Sequence, residues 1–194
     1  MGEKNQGDCM IKPFITSALT AALLLSAPLA AEEKAPAQAP KEQAFQGRTF
    51  HFTDTNGAKI DVAVTDKGIS LPTLQGKNAV MIFYIYSGTP CRNELKLFTK
   101  LKPELKDLEF VTFELKGLSP EKLKAFEKEL GLKGLHMIDS AQAVPFAQYM
   151  AQLLQWPGSV PLIIAVTKTG EVKHMQLGAM NEEQVRKLAE MLNK

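Results

Sequence analysis

The sequence predicts an α/β domain: a mixed central sheet flanked by helices, with a β-hairpin at its start. Three observations predict it. Apolar runs of strand length alternate with helical patterns through the middle of the chain. Ala79–Tyr86 is almost continuously apolar, as a strand covered on both faces must be. Near the start, Thr49–Thr53 and Ile60–Thr65 alternate apolar and polar residues around Thr55-Asn56-Gly57-Ala58. Asn-Gly signals a hairpin because both central residues of such a turn tolerate positive φ.

Composition bounds the answer. The chain has 194 residues, 45% hydrophobic and 23% charged, which suits one globular core. The formal net charge is +2, with Lys and Glu interspersed, so no nucleic-acid footprint is present. Residues 1–31 have the layout of a secretory signal, with Met10 as an alternative start. Met10-Ile11-Lys12 opens a positive region, Phe14–Leu25 is apolar, and Ser26–Ala31 is rich in small residues. Cleavage is expected near Ala30 or Ala31. An uncleaved anchor is the competing reading and the sole route to a membrane. It has against it a run short of the roughly 20 residues of a span and the interruption at Pro28. Residues 32–44 are rich in Ala, Pro and charge and read as a flexible linker. The folded domain is expected over 45–194, in the periplasm or another extracytoplasmic space.

The elements follow in order. Leu71–Lys77 reads as a loop, and Ala79–Tyr86 as the first central strand. Arg92–Leu101 carries Leu95, Leu97, Phe98 and Leu101 at helical spacing, and Pro103 marks its end. Leu108–Leu115 is a second central strand. Ser119-Pro120-Glu121 opens a helix with a capping hydroxyl, Pro in the first turn and an acid near the positive end. Gly131 closes it. Leu135–Asp139 is a short extended piece. Ala143–Leu154 reads as a helix with Pro145 in its first turn, and Trp156–Pro161 as a loop. Leu162–Val166 and Glu171–Leu177 are strands joined at Thr167–Gly170. Asn181-Glu182-Glu183-Gln184 has the form of a capping box for a helix running to about Leu192.

Phe83–Leu95 is where chemistry is expected. A buried strand ends at Ser87-Gly88 and delivers Cys91 to the first turn of a helix. The positive end of a helix favours thiolate over thiol. The chain has two cysteines, Cys9 and Cys91, and Cys9 lies in or before the targeting segment. The exported domain therefore carries one thiol in an oxidising space, with no internal partner. A small, buried, inert residue is the competing reading of Cys91. His51, His136 and His174 are scattered, and Met150, Met175 and Met180 read as packing, so no metal and no cofactor are expected. No Ser-His-Asp spacing or phosphate loop is present.

At these residues the chain resembles a family. Leu74-Gln-Gly-Lys77, then Phe83–Leu95 with its G-T-P-C turn, then Val160-Pro161 before an apolar strand, then Lys168–Val172 come in the order of the extracytoplasmic TlpA/ResA-type thioredoxins. The match spans roughly Phe45–Leu192. It implies a thioredoxin-like fold, a cis peptide bond before Pro161, and thiol–disulfide chemistry. It also exposes a loss. Matching Pro90-Cys91 to the family's Pro-Cys puts Gly88 where the attacking cysteine belongs, and glycine cannot attack. The peroxidase pattern P-x-x-x-T-x-x-C fails too, with Tyr84 and Gly88 at its Pro and Thr. What remains is one-thiol mixed-disulfide exchange through Cys91, with an envelope protein or a low-molecular-weight thiol. The alternative is a non-catalytic peptide- or protein-binding module of the cell envelope. Thr89, Pro90, Trp156, Val160 and Pro161 are the candidate contact residues, Val160 through a backbone left free to pair with an extended segment.

Overall fold

The computed structural model of the chain describes residues 47–194 apart from residue 75. The expected signal, linker and Cys9 lie outside the described residues. A three-stranded antiparallel sheet comes first, ordered β1-β2-β3, with β1 at Arg48–Thr53, β2 at Lys59–Thr65 and β3 at Gly68–Ser70. The expected hairpin is thus joined by a third short strand. Its loop also differs from the two-residue turn that Asn-Gly suggests. Thr53 pairs with Lys59, so five residues intervene, and of Asn56 and Gly57 only Gly57 has positive φ, at 86°. Asp54 replaces the missing turn geometry. Its carboxylate accepts from the N–H groups of Asn56 and Ala58 at 2.9 and 2.8 Å.

The second sheet has five strands, ordered β6-β5-β4-β7-β8. β4 (Asn78–Tyr84) is central. It runs parallel to β5 (Leu108–Glu114), which pairs in parallel with β6 (His136–Ile138). On its other side it pairs antiparallel with β7 (Leu162–Val166), which pairs antiparallel with the edge strand β8 (Val172–Leu177). Every residue of β4, β5 and β7 is buried. Period-two alternation sorts β4 into two cores: Ala79, Met81 and Phe83 face one way, Val80, Ile82 and Tyr84 the other.

The first core is covered by α3 (Ser140–Leu154) and the three-stranded sheet, and the second by α1 (Thr89–Leu101), α2 (Pro120–Leu130) and α4 (Glu182–Leu192). Ser119 caps α2, Gly131 ends it in the left-handed region, and Asn181 and Gln184 form the capping box of α4. Two helix starts differ from expectation. α1 begins at Thr89, so Pro90 and Cys91 both lie in its first turn. α3 begins at Ser140, because the Asp139 side chain accepts from the N–H groups of Ala141 and Gln142. That places Pro145 inside the helix, where its ring forfeits one backbone hydrogen bond.

Candidate functional site

The candidate site forms at the C-terminal end of β4. There the chain turns through Ile85–Gly88 into α1, and β7 begins alongside. Phe83 pairs with Leu162, which sets the segment preceding Leu162 beside the residues that follow Phe83. The Val160-Pro161 peptide bond is cis. Val160 is half-buried and packs against both hydrophobic cores, so it sits at the seam between the sheet's two faces.

The turn is held from below by a buried carboxylate. Glu114, at the end of β5, accepts from the N–H of Tyr86 at 3.4 Å, of Lys116 at 2.8 Å and of Leu118 at 2.9 Å. The Ser140 hydroxyl donates to it as well. One side chain thus satisfies donors from two loops that have no strand partners there. Lys116 reaches back and donates to the Ser87 hydroxyl at 3.0 Å. Arg92 lies 5.3 Å from the Phe126 ring centroid and pairs with Glu129.

Gly88 is the N-cap of α1, with φ −81° and ψ 119°. Those are ordinary extended values, so the backbone does not require glycine here. A Cβ at this position would stand 3.3 Å from the Cys91 Sγ and 3.2 Å from Ile85 Cγ1. The missing side chain is therefore the one that would touch the sulfur.

Cys91 is a free thiol, 1% exposed. Against the expectation from the helix end, its pKa is raised. Burial pushes the thiol up, hydrogen bonding to the backbone of Ile85 and of Cys91 itself opposes this, and the Glu94 charge adds to the rise. Desolvation outweighs the helix dipole because the dipole acts through a few tenths of a charge.

Glu94, one turn further along α1, is a site residue that sequence reading missed. It is 1% exposed, and burial raises its carboxyl to about 7. One oxygen accepts from the Met180 N–H at 2.8 Å, and the other has no partner among the described residues. A signal was there: an acid three residues after Cys91, on the stripe that also carries Leu95 and Phe98, faces inward. Glu114 gave less signal, because β5 also carries Glu109 and Thr112 among its apolar residues.

Trp156 lies on the other side. It is 8% exposed, packs in the first core at 5.4 Å from Phe83, and donates from Nε1 to the Ser159 carbonyl. Gln155 ends α3 at φ 53°, which lets the Trp156 N–H bond back to Ala151 and sets the indole under the loop. Thr89 and Pro90 are exposed in the first turn of α1 with Cys91, whereas Trp156 belongs to the first core. Among the described residues no group of His, Cys, Asp and Glu could hold a metal ion, and no helix is long and apolar enough to cross a membrane.

An α1 with Cys91 in its first turn, a cis peptide bond just before β7, and mixed strand order around a central β4 define a thioredoxin-like fold. The AhpC/TSA family profile matches residues 41–175, and the chain belongs to that family. Solved structures agree on the fold. StoA from Bacillus subtilis superposes with a TM-score of 0.54 at 17% identity, covering 73% of this chain and 96% of that one. A secreted Mycobacterium tuberculosis disulfide oxidoreductase gives 0.54 at 19%, covering 73% and 94%. A thiol:disulfide interchange protein from Chlorobium tepidum gives 0.58 at 15%, covering 78% and 98%. No curated protein matches the chain.

Proposed function

We propose that this chain is an exported, thioredoxin-fold binding module that holds extended polypeptide segments at the ends of β4 and β7 and runs no two-thiol cycle. One observation carries the reading. The position 3.3 Å from the only thiol of the domain is a glycine, and that thiol is itself 1% exposed with its pKa raised by burial. A two-thiol cycle needs an accessible thiolate to attack and a second sulfur to resolve. Neither is supplied here. The surrounding scaffold is retained, with Thr89 and Pro90 exposed on one side and Val160-Pro161 on the other. An extended client laid along Val160 pairs through its backbone and is selected through alternate side chains. The signal pattern in residues 1–31 supports an envelope location.

A second reading has one observation in its favour. Glu94, with its carboxyl near 7, is a buried proton reservoir beside Cys91. It suits one-thiol exchange, in which the Cys91 thiolate attacks a disulfide of an envelope protein or low-molecular-weight thiol. One sulfur then leaves as a thiol, and Cys91 remains in a mixed disulfide.

Peptide affinity separates the two. Using cysteine-free extended peptides, Cys91→Ala leaves affinity unchanged, whereas Thr89→Arg at the exposed rim weakens binding about ten-fold, or 1.4 kcal/mol. Recovery of the protein from its native compartment as a Cys91 mixed disulfide, with no affinity for cysteine-free peptides, decides for the second reading. Trp156→Ala is a poorer probe, because it empties a core position and costs roughly 3–5 kcal/mol of stability.

A further inference from the structure

Among the described residues sulfur is carried by Cys91 and by Met81, Met137, Met150, Met175, Met180 and Met191. Solvent access divides them. Cys91 is sealed, Met81, Met137, Met150 and Met180 are buried, and Met191 is half-buried against the second core. The Met137 sulfur also accepts from the Thr112 hydroxyl at 3.0 Å, which engages a lone pair. Met175 is 52% exposed. The fold explains the difference. Met175 lies on β8, the edge of the five-stranded sheet, which pairs with β7 on its inner side and with no strand on its outer side.

We propose that Met175 is the oxidant-reactive sulfur of the domain, a reversible modification site for two-electron oxidants of the peroxide class, and that its sulfoxide turns the apolar end of β8 polar. In the reaction the thioether lone pair attacks one peroxide oxygen. A sulfur–oxygen bond forms as the oxygen–oxygen bond breaks, and the departing hydroxide takes the proton of the transferred hydroxyl and leaves as water. Sulfur loses two electrons and the peroxide gains them. A thioether has no proton to lose first, whereas a thiol attacks only as thiolate. Access alone therefore sets the reactivity of Met175, while Cys91 is disfavoured both by burial and by a raised pKa. The site needs neither a client nor a reactive thiol, and the envelope location proposed above is an oxidising environment. The product changes the surface. Val172, Met175 and Leu177 are exposed large apolar residues, all on β8, with Met175 between the other two. Met175 shares the lining of a surface hollow with Trp156 and Leu177, and no charged side chain lines it. Sulfoxide formation places a strong hydrogen-bond acceptor there in place of a weak one.

Trp156 is the only tryptophan of the chain, so its fluorescence reports that hollow. The native protein is treated with hydrogen peroxide at pH 5 and at pH 8, and each sulfur is followed by peptide mass. Met175 gains one oxygen about ten-fold or more faster than any buried methionine, at rates that agree within about two-fold between the two pH values, while Cys91 stays a thiol. In denaturant the methionines react alike. Trp156 emission moves to longer wavelength with the time course of Met175 oxidation and returns when a methionine sulfoxide reductase with dithiothreitol removes the oxygen. It does not move in Met175→Leu, which melts as the parent does. Oxidation of Met175 no faster than that of a buried methionine, a Met175 rate that climbs with pH, or capture of the oxidant first at Cys91 overturns the site. A sulfoxide that the reductase cannot remove overturns its reversibility. Oxidation of Met175 without a change in emission, or the same change in Met175→Leu, overturns the effect on the β8 face. Peptide affinity enters none of these readouts, so the binding reading stands or falls separately.

Discussion

Gly88 stands over a sulfur and contributes nothing to it. Its φ and ψ are open to any residue, so the glycine reflects no backbone demand. The geometry instead predicts what restoring a side chain does. In a disulfide the Cβ of one cysteine lies about 3 Å from the sulfur of the other. A Cβ at position 88 falls 3.3 Å from the Cys91 Sγ, with Ile85 Cγ1 giving way by a few tenths of an ångström. Gly88→Cys therefore closes a disulfide to Cys91 under oxidised glutathione, mapped by mass spectrometry, and the variant gains reductase activity toward insulin that the parent lacks. Two thiols that stay free after oxidation count against this placement. That Gly88 stands where a C-x-x-C pattern has its first cysteine was legible because such a pattern is a matter of spacing. The state of Cys91 was not. A helix-start argument weighs the dipole, which sequence shows, against burial, which it does not, and burial is the larger effect.

Among the elements, α1 and α4 are linked through Glu94. Its carboxylate holds the Met180 N–H just before the capping box of α4. Burial raises the native carboxyl from 4.5 to about 7, so the folded chain keeps a proton that the unfolded chain releases. Stability from this group is greatest below about pH 4.5, falls as pH rises toward 7, and levels off above, a change of order 3 kcal/mol. Glu127, raised by burial, adds a fall in the same sense. Glu104, Glu109, Glu121 and Glu182 are held low and act in the opposite sense below their ordinary range. Glu94→Gln flattens chemical denaturation midpoints between pH 5 and 8 and is the more stable protein at pH 8. An unchanged slope places the titration elsewhere. Caps with a strict sequence signature, by side chain at Ser119 and Asn181 and by left-handed backbone at Gly131, were readable in advance. The start of α3 was hidden, because Pro145 looks like a first-turn proline and Asp139, the true cap, sits in what reads as a strand. β3 escaped notice because three residues beside Gly68 are too few to show a period.

At the scale of the whole molecule, the architecture was legible because two periods run through it without conflict. Continuous apolar runs became the doubly covered β4 and β7, and 3.6-residue patterns became the helices over them. What no pattern could show is which face of the sheet a loop residue joins. Trp156 lies six residues before Leu162 and Cys91 eight beyond its strand partner Phe83, yet they pack into different cores, and among the described residues Val160 packs against both. That separation leaves the Cys91 thiol shielded on one face of the sheet and Trp156 on the other. The central claim is that the thiol is shielded, and the rate of Cys91 alkylation by iodoacetamide as a function of pH tests it most directly, read at Cys91 by peptide mass. In the native protein the rate at pH 8 is predicted to be on the order of 100-fold below that in denaturant, and to climb with pH without a plateau below about 8.5. A native rate equal to the unfolded one, or a plateau near neutral pH, would contradict the account and return Cys91 to redox chemistry.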